Sequence, residues 1–402
     1  MISVEEALAQ LLPHFPALST ESVSVSEGLG RTLADPIYSP LNLPPFANSS
    51  MDGFAIRAAG ATLTDRLPVI GDIPAGIFPG FSLEAGQAAR IMTGAALPIG
   101  ADTIIPVEAT DLGRFGAETP ATIRLLNPER IKIGDYIRRV GEDVQQGAEI
   151  LPIGRALRAV DIGMVVSMGI GTVTVTKRPK IALLSTGDEL VEVGHPLTPG
   201  KIYDANRYLL ASLIRDLGAT VIDLGIAEDR VESVESRLRV AVTAGADLIL
   251  SSAGVSVGAF DVVKTVLEQS GSLTFWKVNV RPGKPLAFGH FAGVPYLGLP
   301  GNPVSAAVTF DLFARPAILA LSGLPYVQET IEALTTHPIQ SDGRRSYLRV
   351  TLHHTKGAWY ATLTGTQSSG ALSSLVKSDG LLIVPEGVTE VSEGSRLRVR
   401  RW

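Results

Sequence analysis

Four stretches of this 402-residue chain place residues that handle anions or hard cations on Gly- or Pro-bearing turns. In Ser185-Thr186-Gly187-Asp188-Glu189 the glycine permits a turn after an apolar run, and two adjacent carboxylates offer the oxygen ligands a Mg²⁺ ion prefers. Acids after a glycine also occur in plain surface turns. The run from Ser251 through Ser252, Gly254 and Ser256 to Gly258 offers hydroxyls and backbone N–H groups to phosphate oxygens. It is longer than the ~2 to 6 residues such a connection usually takes. Asp261, just beyond it, suits either a helix N-cap or a metal ligand. Arg281-Pro282-Gly283-Lys284-Pro285 holds two cations on a stiff loop, which suits an anionic ligand. Gly298-Leu299-Pro300-Gly301-Asn302-Pro303 reads as a strand end followed by a helix, with Asn302 as N-cap and Pro303 at the first helical position. The N-terminus of that helix carries partial positive charge.

Other chemistries are excluded or disfavoured. No Gly-x-Gly-x-x-Gly follows a strand, and Gly283-Lys284 lacks the upstream glycine and the following Ser or Thr of a P-loop, which disfavours an ATPase or a nicotinamide enzyme. With no cysteine there is no disulfide, thiolate nucleophile or thiolate-held metal. The six histidines form no His-Glu-x-x-His pair, and His353-His354 on a strand would point to opposite faces. Lys and Arg number 35 against 40 Asp and Glu, so the net charge of −5 provides no broad surface for nucleic acid. A 45% apolar and 19% charged composition fits a folded chain.

The elements that must position these loops follow from periodicity. Ser3 and Glu6 form a capping box before an amphipathic helix over 3–12. From Leu41 to Asp143 short apolar runs broken by Gly and Pro predict a β-rich insert. From Pro179, strands at Ile181–Ser185, Val221–Leu224, Leu248–Ser252, Phe275–Val280, Leu286–Gly289 and Tyr296–Leu299 alternate with helices at 205–217, 231–244, 261–269 and 303–321. That alternation predicts a doubly wound α/β domain with a parallel sheet covered on both faces, its ligands beyond the carboxyl ends of the strands. After Leu324 the runs read as a small β-barrel or sandwich. The stretch from Ala159 to Val175 falls short of the ~18 clean apolar residues of a membrane span and predicts a buried helix running into a strand. Glu5 and Glu6 interrupt any secretory leader, so a cytoplasmic protein with no membrane contact is expected.

With these loops in place the chain resembles the MoeA family of molybdopterin molybdenumtransferases, relatives of the gephyrin E domain. Besides the four loops, the resemblance is carried by Asn48-Ser49-Ser50-Met51-Asp52-Gly53-Phe54-Ala55, Arg90-Ile91-Met92-Thr93-Gly94 and Arg139-Val140-Gly141-Glu142-Asp143. Phe54 stands where Tyr is usual, Ala253 where a second Gly is usual and Arg281 where Lys is common. The resemblance implies an elongated domain from 1–44 and 144–177, a β-rich domain at 45–143, a molybdopterin-binding α/β domain at 178–324 and a β-barrel at 325–402. It also implies a homodimer whose cleft lies between the third and fourth domains of one subunit and the second domain of its partner.

The implied reaction is Mg²⁺-dependent insertion of molybdate, a co-substrate, into adenylated molybdopterin, with release of AMP. Asp188, Glu189, Asp229 and Asp261 are then the metal candidates, with Asp52, Thr93, Asp143 and Lys284 in the same cleft. Thr186, Gly187, Ser251, Ser252, Gly254, Ser256, Gly258, Arg281, Gly283, Pro300, Gly301 and Asn302, with Arg349 and Ser369 from the last domain, would bind substrate. A contact with the molybdopterin adenylyltransferase is also implied. The alternatives are that preceding adenylyltransferase step itself and a non-catalytic, gephyrin-like scaffold.

Overall fold

The run Lys180–Thr186 is apolar at successive positions, as a strand covered on both faces must be. Its side chains divide by the two-residue strand period: Ile181 and Leu183 join one buried cluster, Ala182 and Leu184 the other. The first cluster is completed by Leu210 and Ile214 of the helix Ala205–Asp216, by Val304 and Phe313, and by Ala7 and Leu11 of the N-terminal helix. The second is completed by Val234 and Leu238 of the helix Val231–Thr243 and Val266 of the helix Ala259–Ser270. The structure, a computed structural model, describes residues 1–60, 66–252 and 259–401.

Six strands form this sheet, in the order Thr220–Ala227, Lys180–Thr186, Leu248–Ser252, Val294–Leu299, Pro285–Phe291, Gly271–Lys277. The first four are parallel. The last two pairings are antiparallel, so that Pro285–Phe291 runs against the other five strands, which corrects the all-parallel expectation. The cause is local: only Ala292-Gly293 separates Pro285–Phe291 from Val294–Leu299, so these strands make a hairpin, whereas a parallel pair needs a crossover. The stretch Pro303–Leu321 is continuous, but Phe310–Ala314 within it is a π-turn. It is the one helix among the described residues long and apolar enough to cross a membrane, and 83% of it is buried here.

The C-terminal strands close into a barrel, not a sandwich: Arg345–Thr355, Ala358–Leu363, Ile331–Thr335, Arg396–Arg401 and Gly380–Val384, the last pairing back to the first. A sixth, two-residue strand, Val280–Arg281, pairs in parallel with Arg345–Thr355 from outside. The N-terminal helix is Val4–Leu11 with its capping box intact, Ser3 Oγ accepting Glu6 N at 3.0 Å and Glu6 Oε2 accepting Ser3 N at 2.7 Å. These elements belong to one compact unit, residues 1–34, 154–159 and 172–402.

A second unit comprises residues 35–153 and 160–171. Its centre is a five-stranded sheet in the order Thr103–Pro106, Gly53–Ile56, Ala88–Ile91, Arg66–Ile73, Thr122–Arg124, in keeping with a β-rich insert. The helix Ala159–Ser167 and the strand Thr172–Thr176 occur as expected, but the helix is not buried throughout. Asp161 and Val165 face inward, while Val160 and Val166 are exposed.

Candidate functional site

Strand Lys180–Thr186 delivers its last residue, Thr186, fully buried and with no hydrogen-bond partner for Oγ1 among the described residues. Gly187 follows with φ +146°, a conformation that strains any residue with a side chain, and a Cβ there would also displace the Glu189 carboxylate, 2.5 Å away. Asp188 and Glu189 ride on that turn. The neighbouring strand Thr220–Ala227 ends just before Asp229, whose N–H donates to Asp188 Oδ1 at 3.2 Å. Burial, then the Asp188 and Glu189 carboxylates, raise the Asp229 pKa above the usual range, and Asp229 Oδ1 is buried with no partner among the described residues. Asp188, Glu189 and Asp229 offer the hard oxygen donors that Mg²⁺ prefers, but among the described residues no three such groups stand close enough together to hold an ion as they are.

Asp261, the fourth candidate, stands inside its helix and not at the position before it. The helix starts at Ala259 and Asp261 lies within its first turn, with its side chain outside the described residues, as are Ala253, Gly254, Ser256 and Gly258. Of the two serines ending the central strand, Ser252 Oγ lies 3.4 Å from Ser185 Oγ, and Ser251 Oγ is hydrogen-bonded to the buried Tyr296 hydroxyl. Ser251 is therefore turned into the sheet, a partner that a serine-rich loop does not announce.

A second group gathers where the barrel meets the α/β sheet. Arg349 is fully buried on barrel strand Arg345–Thr355. Its guanidinium donates to Ser374 Oγ and the Ser368 carbonyl, both at 3.1 Å, and it has no carboxylate partner among the described residues. Burial, with Arg281 adding like charge, lowers its pKa to about 10. Arg281 pairs with Asp342 at 3.7 Å, an acid shared with Arg344. Lys284 is exposed on the same loop. Between them Gly283, at φ +104°, would set a Cβ 2.4 Å from Thr309 Cγ2.

Pro300, buried, and Gly301 lead into the helix at Pro303. Asn302 occupies the N-cap position, but its side chain makes no cap bond; the Ser369 carbonyl accepts Val304 N at 3.0 Å instead. Sequence reasoning missed Asn206, whose Nδ2 donates to the Gly301 carbonyl at 2.6 Å, and Lys201, whose Nζ donates to the Asp188 carbonyl. Asn206 lies in what reads only as the first turn of a helix, and Lys201 in a polar loop.

In the second unit Asp52 and Thr93 are joined: Asp52 Oδ1 accepts both Thr93 N and Thr93 Oγ1 at 2.7 Å. The Thr93 backbone bond first, then its side-chain bond, with Arg90 adding positive charge, hold Asp52 below the usual carboxylate range. Gly53 is obligatory beside it, since a Cβ would fall 2.0 Å from the Ile105 carbonyl oxygen. Asp143 is elsewhere in that unit. It lines a cavity of about 600 Å³ with Leu43, Pro44, Asn48, Arg138, Glu142 and Ser167, a wall that includes neither Asp52 nor Thr93.

Comparison with known proteins agrees with these features along the whole chain. Residues 2–169 match the family description "MoeA N-terminal region (domain I and II)", 182–320 "Probable molybdopterin binding domain" and 332–402 "MoeA C-terminal region (domain IV)". The chain is 38% identical to molybdopterin molybdenumtransferase 2 of Mycobacterium tuberculosis, over 99% of each chain. It is 36% identical to the molybdopterin molybdenumtransferase of Haemophilus influenzae, over 99% of this chain and 98% of that one. Among solved structures, a molybdopterin biosynthesis MoeA protein from Pyrococcus horikosii superposes with a TM-score of 0.81 at 33% identity, covering 100% of this chain and 99% of the other. The carboxylate turn, the cationic corner and the full-length similarity lead to one conclusion: the chain belongs to the MoeA family of molybdopterin molybdenumtransferases.

Proposed function

We propose that this transferase, acting in molybdenum cofactor biosynthesis as a cytoplasmic homodimer, inserts molybdate into adenylated molybdopterin with Mg²⁺-dependent release of AMP. The observation that supports the reading is Arg349: a buried guanidinium with no counter-ion among the described residues, beside Arg281 and the Ser369 loop, suits an anion. A doubly charged oxyanion such as molybdate supplies the missing charge and accepts the charge-assisted bonds.

Asp188, Glu189 and Asp229, with Asp261 as a fourth candidate, would hold Mg²⁺, which when bound screens phosphate charge and polarises phosphorus as a Lewis acid. The chain's own groups do the rest. The Thr186 hydroxyl donates toward phosphate oxygens, the helix after Asn302 contributes the positive end of its dipole, and Lys284 and Arg281 bind anionic oxygens. Gly187 and Gly283 keep the two turns in conformations a side chain would disrupt. Ser252, together with Gly254, Ser256 and Gly258, is proposed to bind phosphate oxygens. Asp52, Thr93 and Asp143 are proposed to serve the same reaction from the partner subunit.

The test is incubation of the purified chain with adenylated molybdopterin, Mg²⁺ and molybdate, following AMP and activation of a molybdenum-free apoenzyme by the product. Molybdate-dependent AMP release with active product is expected. An intact adenylated substrate, with ATP and molybdopterin consumed instead, would overturn the reading in favour of adenylyl transfer; no reaction of either kind would favour the scaffold.

A further inference from the structure

Arg207 is 5% exposed and stands in the first turn of the helix Ala205–Asp216. Its guanidinium meets three carboxylates from three places in the chain. Arg207 Nε donates to Asp204 Oδ2 at 3.1 Å, Nη1 donates to both Asp223 oxygens at 2.7 and 2.6 Å, and Nη2 donates to Glu192. A structural ion pair needs one acid; this arginine is forked across three.

The positions of those acids give the arrangement its meaning. Glu192 belongs to the segment that leaves Gly187 and returns through the parallel pair Leu190–Val191 and Ile202–Tyr203. That segment carries Asp188 and Glu189 at its start. It is stitched by Ile202 N to the Glu189 carbonyl at 2.9 Å, and Asp204 N bonds the Val191 carbonyl at 3.2 Å. Asp223 sits where strand Thr220–Ala227 shifts register against Lys180–Thr186, between Leu183 and Ser185. There Gly225, at φ +72°, donates its N–H to Asp223 Oδ1 at 2.9 Å. The bulge sets where the strand ends, and the strand ends into Asp229.

We infer that Arg207 is a positioning residue, clamping the Glu192 segment to the Asp223 bulge and so setting the spacing of Asp188 and Glu189 from Asp229. It touches none of those three carboxylates in the bonds it makes. The inference rests on the reading of Asp188, Glu189 and Asp229 as a divalent-cation site and deepens it.

The experiment is Mn²⁺ binding to the full-length protein, followed by electron paramagnetic resonance without substrate, alongside thermal melts. Asp229→Asn tests the underlying reading. Arg207→Lys keeps the charge but cannot span three carboxylates, and Glu192→Gln, at a side chain 40% exposed, loosens one arm without burying a charge. Expected is a weakening of Mn²⁺ affinity of roughly 10-fold for Arg207→Lys and several-fold for Glu192→Gln, as for other groups that orient metal ligands. If Asp229→Asn loses Mn²⁺ while Arg207→Lys and Glu192→Gln bind as the wild type, whatever their melting temperatures, the clamp is overturned and the cation site stands. Should Arg207→Lys not fold, Glu192→Gln decides alone. If Asp229→Asn binds Mn²⁺ as the wild type does, the cation site fails, and the clamp with it.

Discussion

The Ser369 carbonyl, on a barrel loop, accepts the Val304 N–H of the α/β domain at 3.0 Å. A backbone group from one domain thereby does what the Asn302 side chain does not, and it holds the 368–371 loop against the start of a helix. The same loop gives its Ser368 carbonyl to Arg349, so the buried cation and the helix N-terminus are set relative to each other by two adjacent peptide units.

Arg349→Lys is therefore expected to weaken molybdate use without unfolding the protein. Lysine retains charge but loses the fork that reaches Ser374 and Ser368 together. The loss of one charge-assisted bond predicts a rise of about 10- to 100-fold in the KM for molybdate, read from AMP release against molybdate concentration. An unchanged KM would remove Arg349 from the anion site.

Asp229→Asn is expected to raise the melting temperature when divalent ions are chelated. It removes a carboxylate that burial and two like charges disfavour. The same change is expected to cost at least ~10-fold in Mg²⁺ affinity, measured by calorimetry. A lower melting temperature in chelator would show that the three acids are not in conflict.

Thr93→Val removes one of the two bonds to Asp52 Oδ1 and leaves the backbone bond, the larger of the two causes of its low pKa. The Asp52 pKa is expected to move up toward 3.8 but to remain below it. The sign for stability follows: ionised Asp52 stabilises the fold above its unfolded pKa, and this is lost as pH falls through the lower folded value. A carbon-13 carboxyl titration of wild type and variant checks both statements, and an unmoved pKa would show that the hydroxyl contributes nothing.

Gly53→Ala places a methyl group 2.0 Å from the Ile105 carbonyl, a clash with backbone that no rotamer relieves. Destabilisation of about 3 kcal/mol is expected in denaturant unfolding, at the upper end for overpacking. The Asp52 to Thr93 bonds lie one residue away and are expected to loosen with it. A cost below about 1 kcal/mol would mean that the sheet can open at Ile105.

The architecture was largely legible from residue order. The capping box at Ser3 and the strand Leu248–Ser252 lie where periodicity and cap chemistry place them, because each is decided by neighbours in sequence. What sequence left open was decided by contacts between distant residues. No local signal tells that Ser251 turns toward Tyr296, that Arg281 shares Asp342 with Arg344, or that Asn302 leaves its helix to be capped by Ser369. The antiparallel edge of the sheet was legible in principle, since Ala292-Gly293 is too short for a crossover, but α/β alternation elsewhere outweighed it.

The short strand Val280–Arg281 belongs by sequence to the α/β domain and by hydrogen bonding to the barrel. The barrel is therefore sewn on twice, by the covalent connection after Gly323 and by this ladder, with Arg400 adding a third fastening through Asp311. A protease cutting between Leu324 and Thr330 would leave two fragments that migrate as one particle in native conditions and separate only in denaturant.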